Sequence, residues 1–362
     1  MAGGGNDGAF MARALELSRQ HLGLTGTNPS VGCVVVKNGE IVGEAVTAVG
    51  GRPHAETQAL ETAGARAEGA DVYVTLEPCS HYGHTPPCAN ALVAAKVARV
   101  VACLTDPDPR VAGRGLSILR DAGIAVEQGL MQEEGRRALA GYLTRQTKNR
   151  PHVTLKLAVS ADGMLGRRGE EVTITGPEVK QAVFRLRAES DAILVGIGTV
   201  LSDDPELTVR IPGLEDRSPI RIVVDRKLQI PVTSKLVQTA RQVPVIVLVG
   251  EQVASDETLA EKREQLRAAG VEIVHCRDLA SLLRTLAERG LSSLMVEGGA
   301  VVARAFLDAG LVDRIILSEG VVTVGVGGLE SPVTASDMPR EFTLIRSSEL
   351  GRDRLFEYER SS

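Results

Sequence analysis

Short runs of branched apolar residues recur along almost the whole chain, and stretches with helical spacing stand between them. Such runs, bounded by turn formers, read as buried strands, and strands that alternate with helices pack as an α/β sheet. In the first half, strands are expected at residues 31–36, 41–47, 72–76 and 99–104. Helices are expected over 10–22 and 54–62, from Cys88 onward, and up to Gly123. Asn38-Gly39 between the first two strands is a hairpin signal, because both residues tolerate the left-handed backbone of a tight turn. A helix over 133–148 then runs into Asn149-Arg150-Pro151. Proline biases the residue before it away from helix, so a domain boundary is expected there, dividing the chain into 1–149 and 150–362. Beyond it the pattern restarts, with strands at 153–158, 192–195, 220–224, 245–249, 271–274 and 293–296.

Of the 362 residues, 43% are hydrophobic, enough for two cores and too many for a disordered chain. Aromatics make up only 2% and Trp is absent, so the cores rest on Val, Leu, Ile and Ala. Bases would find few stacking platforms on such a surface. A net charge of −5 supplies no basic field for a phosphate backbone. A small-molecule substrate is therefore expected, and a nucleic-acid partner is not. No apolar run reaches the roughly 20 residues of a membrane helix, and residues 1–7 lack the basic start of a signal peptide. Five cysteines, odd in number and sparse, suit a reducing cytoplasm better than a disulfide framework. Cys33, Cys103 and Cys276 lie in or just after apolar strand patterns and read as structural.

The other two cysteines belong to a sharper pattern: His54-Ala55-Glu56, then Pro78-Cys79, then Cys88. One imidazole and two thiolates leave the fourth position of zinc open, as catalytic zinc requires. Glu56 stands two residues from a ligand and can carry protons without binding the metal. This is the arrangement of the zinc nucleobase deaminases, although eight residues separate the cysteines here where nucleic-acid deaminases usually have two. A nucleic-acid deaminase, such as a tRNA adenosine deaminase, is opposed by the acidic charge and scarce aromatics. A dinucleotide-binding regulator with a vestigial zinc site is opposed by the intact His54, Glu56, Cys79 and Cys88.

With these residues the sequence resembles the bifunctional deaminase-reductases of riboflavin biosynthesis. The first half carries the resemblance in Asn28-Pro29-Ser30-Val31-Gly32, His54-Ala55-Glu56, Glu77 through Thr85-Pro86-Pro87-Cys88, and Asp106-Pro107-Asp108-Pro109. It implies a cytidine-deaminase-like α/β/α domain with one zinc on His54, Cys79 and Cys88, and Glu56 as the catalytic proton carrier. Asn28, His81 and Asp106 become candidate substrate contacts. The family usually has Arg or Lys where His84 stands and Asn where Asp108 stands.

The second half resembles the family's reductase, which implies a dihydrofolate-reductase-like α/β domain that uses NADPH. The matching runs are Arg150-Pro151, Val153 to Lys156, Ser160 to Gly163, Thr199 to Arg210, and Val296-Glu297-Gly298-Gly299. By family position, Lys156 and Glu297 line the place where hydride meets the sugar. Thr199, Asp203, Gly298 and Gly299 contact the dinucleotide, and Arg187, Leu207 and Arg210 hold the phosphorylated sugar. The physical reading agrees at Gly298-Gly299, where a turn from strand into helix brings backbone N–H groups to a diphosphate. Arg226-Lys227 is a candidate for the extra phosphate of NADPH. Glu171 and Thr173 depart from the usual Ser and Trp. The resemblance implies a cytoplasmic enzyme acting on a phosphoribosyl pyrimidine, with self-association left open; a deaminase whose second domain has another task is the alternative.

Overall fold

Asn38 and Gly39 take φ values of 53° and 82°. They close the hairpin of β1 (Gly32–Lys37) and β2 (Glu40–Val46) as the sequence predicts. β1 also pairs antiparallel with β3 (Asp71–Val74). β4 (Arg99–Ala102) and β5 (Ala125–Gln128) extend the sheet in parallel, giving the order β2-β1-β3-β4-β5. The structure is a computed structural model that describes residues 6–82, 86–170 and 172–361. The chain divides into two compact units, Met1–Asn149 and Arg150–Ser362, and this five-stranded sheet is the frame of the first.

Among the described residues, six α-helices accompany that sheet: α1 (Asp7–Ser18), α2 (Ala55–Ala63), α3 (Cys88–Ala94), α4 (Arg114–Asp121), α5 (Gln132–Ala138) and α6 (Ala140–Lys148). A Cβ on Gly32 would stand 1.8 Å from the Ala14 carbonyl oxygen, so only glycine lets α1 lie this close to β1. Val34, Val72 and Val100 from the strands meet Met11, Ala59 and Leu119 from the helices in one apolar core, which the sequence composition anticipates. Because β3 and β4 run parallel, the loops after them leave the same edge of the sheet. Those loops carry Cys79 and Asp106. Two differences from the sequence reading have physical reasons. The single helix expected over 133–148 is two, because Leu139 leaves helical angles (φ −106°, ψ 14°) and buries its side chain. β5 is an exposed edge strand without apolar alternation, so no periodicity announces it.

The second unit is built on β6 (His152–Val159), β7 (Met164–Arg167), α7 (Pro177–Ala188), β8 (Ala192–Gly196), α8 (Ile197–Asp203) and β9 (Ile220–Val224). It continues with α9 (Lys235–Gln238), β10 (Val245–Val249), α10 (Gln252–Ser255), α11 (Ala260–Ala268), β11 (Val271–His275), α12 (Leu279–Glu288) and β12 (Ser293–Val296). α13 (Ala300–Asp308), β13 (Arg314–Glu319), β14 (Gly328–Glu330), β15 (Phe342–Leu350) and β16 (Asp353–Arg360) complete it. Nine strands form one sheet in the order β11-β10-β9-β8-β12-β6-β13-β16-β15, parallel as far as β13, with β16 and β15 antiparallel at the edge. Leu155, Leu194 and Val296 bury one face against Leu283 and Phe306 of α12 and α13. Ile193, Val223 and Val247 lie in a second cluster with Leu236 and Leu266. The expected strands at 153–158, 192–195 and onward are all present. β13 and the β15–β16 hairpin add an edge the sequence reading did not anticipate. Among the described residues, no helix is long and apolar enough to cross a membrane.

Candidate active sites

His54 is the N-cap of α2, and its extended backbone (φ −70°, ψ 158°) turns the imidazole toward the loop after β3. Its Nδ1 lies 3.6 Å from Cys79 Sγ and 3.3 Å from Cys88 Sγ. All three donor atoms lie within 4.8 Å of one another. Tetrahedral zinc with ordinary bond lengths separates its ligands by roughly 3.6 Å, so the three residues fit that ion. The loop is held by the next helix: the Cys88 N–H donates to Cys79 Sγ at 3.2 Å, and the Ala89 N–H donates to the Cys79 carbonyl. The Cys79 thiol is drawn down to about 4, first by the hydrogen bond from Cys88 and then by His54, while Cys88 is pushed the opposite way. Two adjacent thiols are competing for one negative charge, which a divalent cation relieves. Glu56, on the first turn of α2, is 4% exposed, and burial pushes its carboxyl up to about 7. A carboxyl poised there can both take and give a proton at neutral pH.

His54, Cys79 and Glu56 open onto a cavity of about 190 Å³ whose lining also includes Asn28, His81, Asp106, Asp108, Arg110, Tyr142 and Arg145. The three expected substrate contacts are thus brought to the metal site. His81 Nδ1 is buried without a hydrogen-bond partner among the described residues. The wall is stiffened by Glu77. Its carboxylate accepts from the N–H groups of Asp106, Gly113 and Gly115 at 3.2, 2.9 and 2.9 Å. A Cβ on Gly115 would fall 1.9 Å from the Pro78 carbonyl oxygen, so the zinc loop rests directly on the start of α4.

In the second unit, β12 pairs with β6 so that Val296 faces Leu155, and the next residues, Glu297 and Lys156, become neighbours. Lys156 Nζ lies 3.6 Å from Glu297 Oε1. Arg187, in the last turn of α7, donates to Glu297 Oε2 through Nε at 3.0 Å and Nη2 at 2.9 Å, and to the Thr208 carbonyl at 3.1 Å. Burial raises the Glu297 pKa, but the two cations more than offset it and hold the carboxylate below its usual range. Beside this cluster, Gly299 caps α13. A Cβ placed on Gly299 would meet nothing nearer than Thr199 Oγ1 at 3.9 Å, whereas one on Gly298 would meet Val302 Cβ at 2.9 Å. Open space before a helix N-terminus, next to a threonine hydroxyl, suits a dinucleotide diphosphate.

Comparison with known proteins agrees with both constellations. Residues 5–104 match the cytidine and deoxycytidylate deaminase zinc-binding region. Residues 151–356, more than half of the chain, match the RibD C-terminal domain. The riboflavin biosynthesis protein RibD of Escherichia coli is 44% identical over 326 residues, 86% of each chain. That of Aquifex aeolicus is 40% identical over 324 residues, 89% of this chain and 88% of its own. The chain belongs to the RibD family. The solved structure of Acinetobacter baumannii RibD superposes with a TM-score of 0.86 at 35% identity, covering 99% of both chains. A Thermotoga maritima diaminohydroxyphosphoribosylaminopyrimidine deaminase/5-amino-6-(5-phosphoribosylamino)uracil reductase gives 0.86 at 32% identity, over 98% of this chain and 99% of its own. The fold is that of the RibD family throughout: a cytidine-deaminase-like unit followed by a dihydrofolate-reductase-like one.

Not every residue expected from the RibD resemblance joins a cluster. Lys156, Arg187 and Glu297 come together, as do Thr199 and Gly299. Asp203 is exposed at the end of α8, bonded to Ser202. Leu207 is 4% exposed within the apolar cluster around Ile193, so only its backbone could face a ligand. Arg210 forms an exposed pair with Glu206 at 3.1 Å and does not approach Glu297. Arg226 and Lys227 stand on an exposed turn closed by the Leu228 N–H on the Asp225 carbonyl. Thr173 is exposed, while His84 and Glu171 lie outside the described residues. Asp108, where the family usually has Asn, is buried, and its charge is taken by Arg110 through Nε and Nη2 at 3.0 and 2.6 Å. Arg110 and Tyr142 were not singled out in the sequence, and Glu77 stood in the family motif without a role. Glu77 adjoins the Pro-Cys motif, but Tyr142 carries no motif at all.

Proposed function

We propose that the first unit hydrolytically deaminates diaminohydroxyphosphoribosylaminopyrimidine. The second then reduces the ribosyl group of 5-amino-6-(5-phosphoribosylamino)uracil to ribityl with NADPH. On this reading residues 1–149 carry the deaminase and 150–362 the reductase. The observation that carries it is the grouping of His54, Cys79 and Cys88 beside buried Glu56 at the edge of one polar cavity, in a chain whose second unit assembles Lys156, Arg187 and Glu297.

Bound zinc, held by His54, Cys79 and Cys88, brings the pKa of water down to near 7 and so makes hydroxide available at neutral pH. Glu56 would carry one proton from the attacking water to a ring nitrogen and the second, from the newly added hydroxyl, to the amino group, which leaves as ammonia as the carbonyl forms. Its elevated pKa suits both halves of the transfer. Asn28, His81 and Asp106 orient the ring from the cavity wall. In the second unit NADPH, when bound beside Gly299 and Thr199, would supply the hydride that the sugar C1 accepts. Glu297, fixed by two cations, holds Lys156 at the site, where the ammonium can give a proton to the sugar oxygen. Gly299 leaves room for the diphosphate, while Gly298 lets the turn pack against Val302. The reading includes a cytoplasmic location and leaves self-association open.

The test supplies pure protein with the diaminopyrimidine phosphate, with and without NADPH, and identifies each product. Deaminated ribosyl product without NADPH and ribityl product with it are expected. Ribosyl product alone in both cases would leave a deaminase whose second unit has another task.

A further inference from the structure

Tyr142 is buried in the apolar core of the first unit, yet it also lines the cavity that holds His54, Cys79 and Glu56. It donates to both oxygens of Asp106, at 2.9 Å to Oδ1 and 3.1 Å to Oδ2. Phenylalanine would fill the same space with no polar atom to desolvate, so the hydroxyl has a use beyond packing. Asp106 is itself 6% exposed and, among the described residues, forms no ion pair. Besides Tyr142 it accepts the Asp108 N–H on Oδ1 at 2.9 Å. A carboxylate has about four lone-pair positions. Oδ1 is therefore engaged twice, while Oδ2 has one position used and one left. Asp106 lines the same cavity as Glu56, so that remaining position is available to an N–H or O–H donor of a molecule bound there.

We infer that Tyr142 is a positioning residue of the deaminase pocket: its hydroxyl fixes the Asp106 carboxylate so that the free side of Oδ2 receives a donor group of the pyrimidine substrate. The inference rests on the deaminase reading and deepens it by naming what sets ring affinity. α6 thereby contributes to a pocket whose other recognised residues come from loops and from the start of α2. Without the hydroxyl, Asp106 keeps its charge and its place in the chain but loses its orientation. Affinity for the ring falls while the chemistry at Glu56 proceeds once the ring is seated.

Steady-state deamination of the diaminopyrimidine phosphate by the full chain tests this with Tyr142→Phe, Asp106→Asn and the double variant. Zinc content is measured on each to show that the site is intact. For Tyr142→Phe the expected result is a KM raised about 10-fold, the scale of a lost hydrogen bond to a buried charge, with kcat within about 2-fold. The double variant should be no weaker than Asp106→Asn alone, since the two residues act through one contact. An unchanged KM in Tyr142→Phe, or effects that multiply in the double variant, overturns the role of Tyr142 while leaving the deaminase reading intact. A wild-type chain that binds zinc and does not turn this substrate over overturns both.

Discussion

At the scale of single residues, the metal centre was the most legible part of the molecule. Its chemistry demands particular side chains at particular places: a His at a helix start, a Glu two residues on, a Cys in the loop after a strand and another opening the next helix. The sequence carries all four, and the fold brings three of them within ligand distance. Glu77 and Tyr142 were not legible, because a carboxylate that satisfies backbone N–H groups and a tyrosine aimed at an aspartate depend on long-range geometry. The two kinds of residue should fail differently. Cys79→Ser removes a thiolate and should abolish both zinc and deamination; full activity in a metal-free preparation of this variant would refute the assignment. Glu56→Gln keeps its shape and every metal ligand. It should retain one zinc per chain while its rate drops by roughly 10²–10⁴-fold, the usual contribution of an acid–base group. Loss of zinc in that variant would make Glu56 structural instead.

At the scale of elements, strands with continuous apolar runs were read correctly, because their burial is written in residue type. What escaped was set by context. β5 is a polar edge strand that exists because β4 offers it a partner. β15 is largely exposed and is held by β16. β13 did carry a signal, in Ile315-Ile316-Leu317, although no strand was expected after residue 296. The turn from β12 into α13 shows how an element refines a sequence argument. Both glycines of Gly298-Gly299 suggest close approach, but a Cβ on Gly298 collides with Val302, whereas one on Gly299 enters open space. Gly298→Val should therefore lower the stability of the second unit, in the roughly 1–3 kcal/mol range of overpacking. Gly299→Val should leave the melting temperature nearly unchanged and remove NADPH binding. Calorimetric titration with NADPH beside thermal melts of both variants separates the two; normal binding by Gly299→Val would place the diphosphate elsewhere.

At the scale of the whole molecule, the proline rule marked a boundary at Asn149-Arg150-Pro151, and the structure shows why its position matters to the residue. Asn149 ends α6 in a left-handed conformation, φ 50°. Arg150 already belongs to the second unit: its Nη2 lies 2.7 Å from Asp313 Oδ1 and its Nη1 2.5 Å from Oδ2. Burial alone would raise the Asp313 pKa, but Arg150 first, then His152 and the Val153 N–H, hold it at about 2. A depressed carboxylate stabilises the fold above its unfolded pKa of about 3.9, and that stabilisation disappears as pH falls through about 2. A fragment of residues 1–149 should keep zinc and deaminate, since its core and its metal ligands are its own. For the other half, one residue decides. A fragment beginning at Arg150 retains the pair; one beginning at Pro151 leaves a buried carboxylate without its guanidinium, which destabilises by roughly 3–5 kcal/mol. The difference should be full near neutral pH and should shrink below about pH 4, where Asp313 of the shorter fragment takes up a proton and no longer needs a cation. Urea denaturation of both fragments at pH 7 and near pH 3 measures it. Equal midpoints at pH 7 would mean that the Arg150–Asp313 pair contributes nothing to the fold, and that the boundary can be cut on either side of Arg150 without consequence.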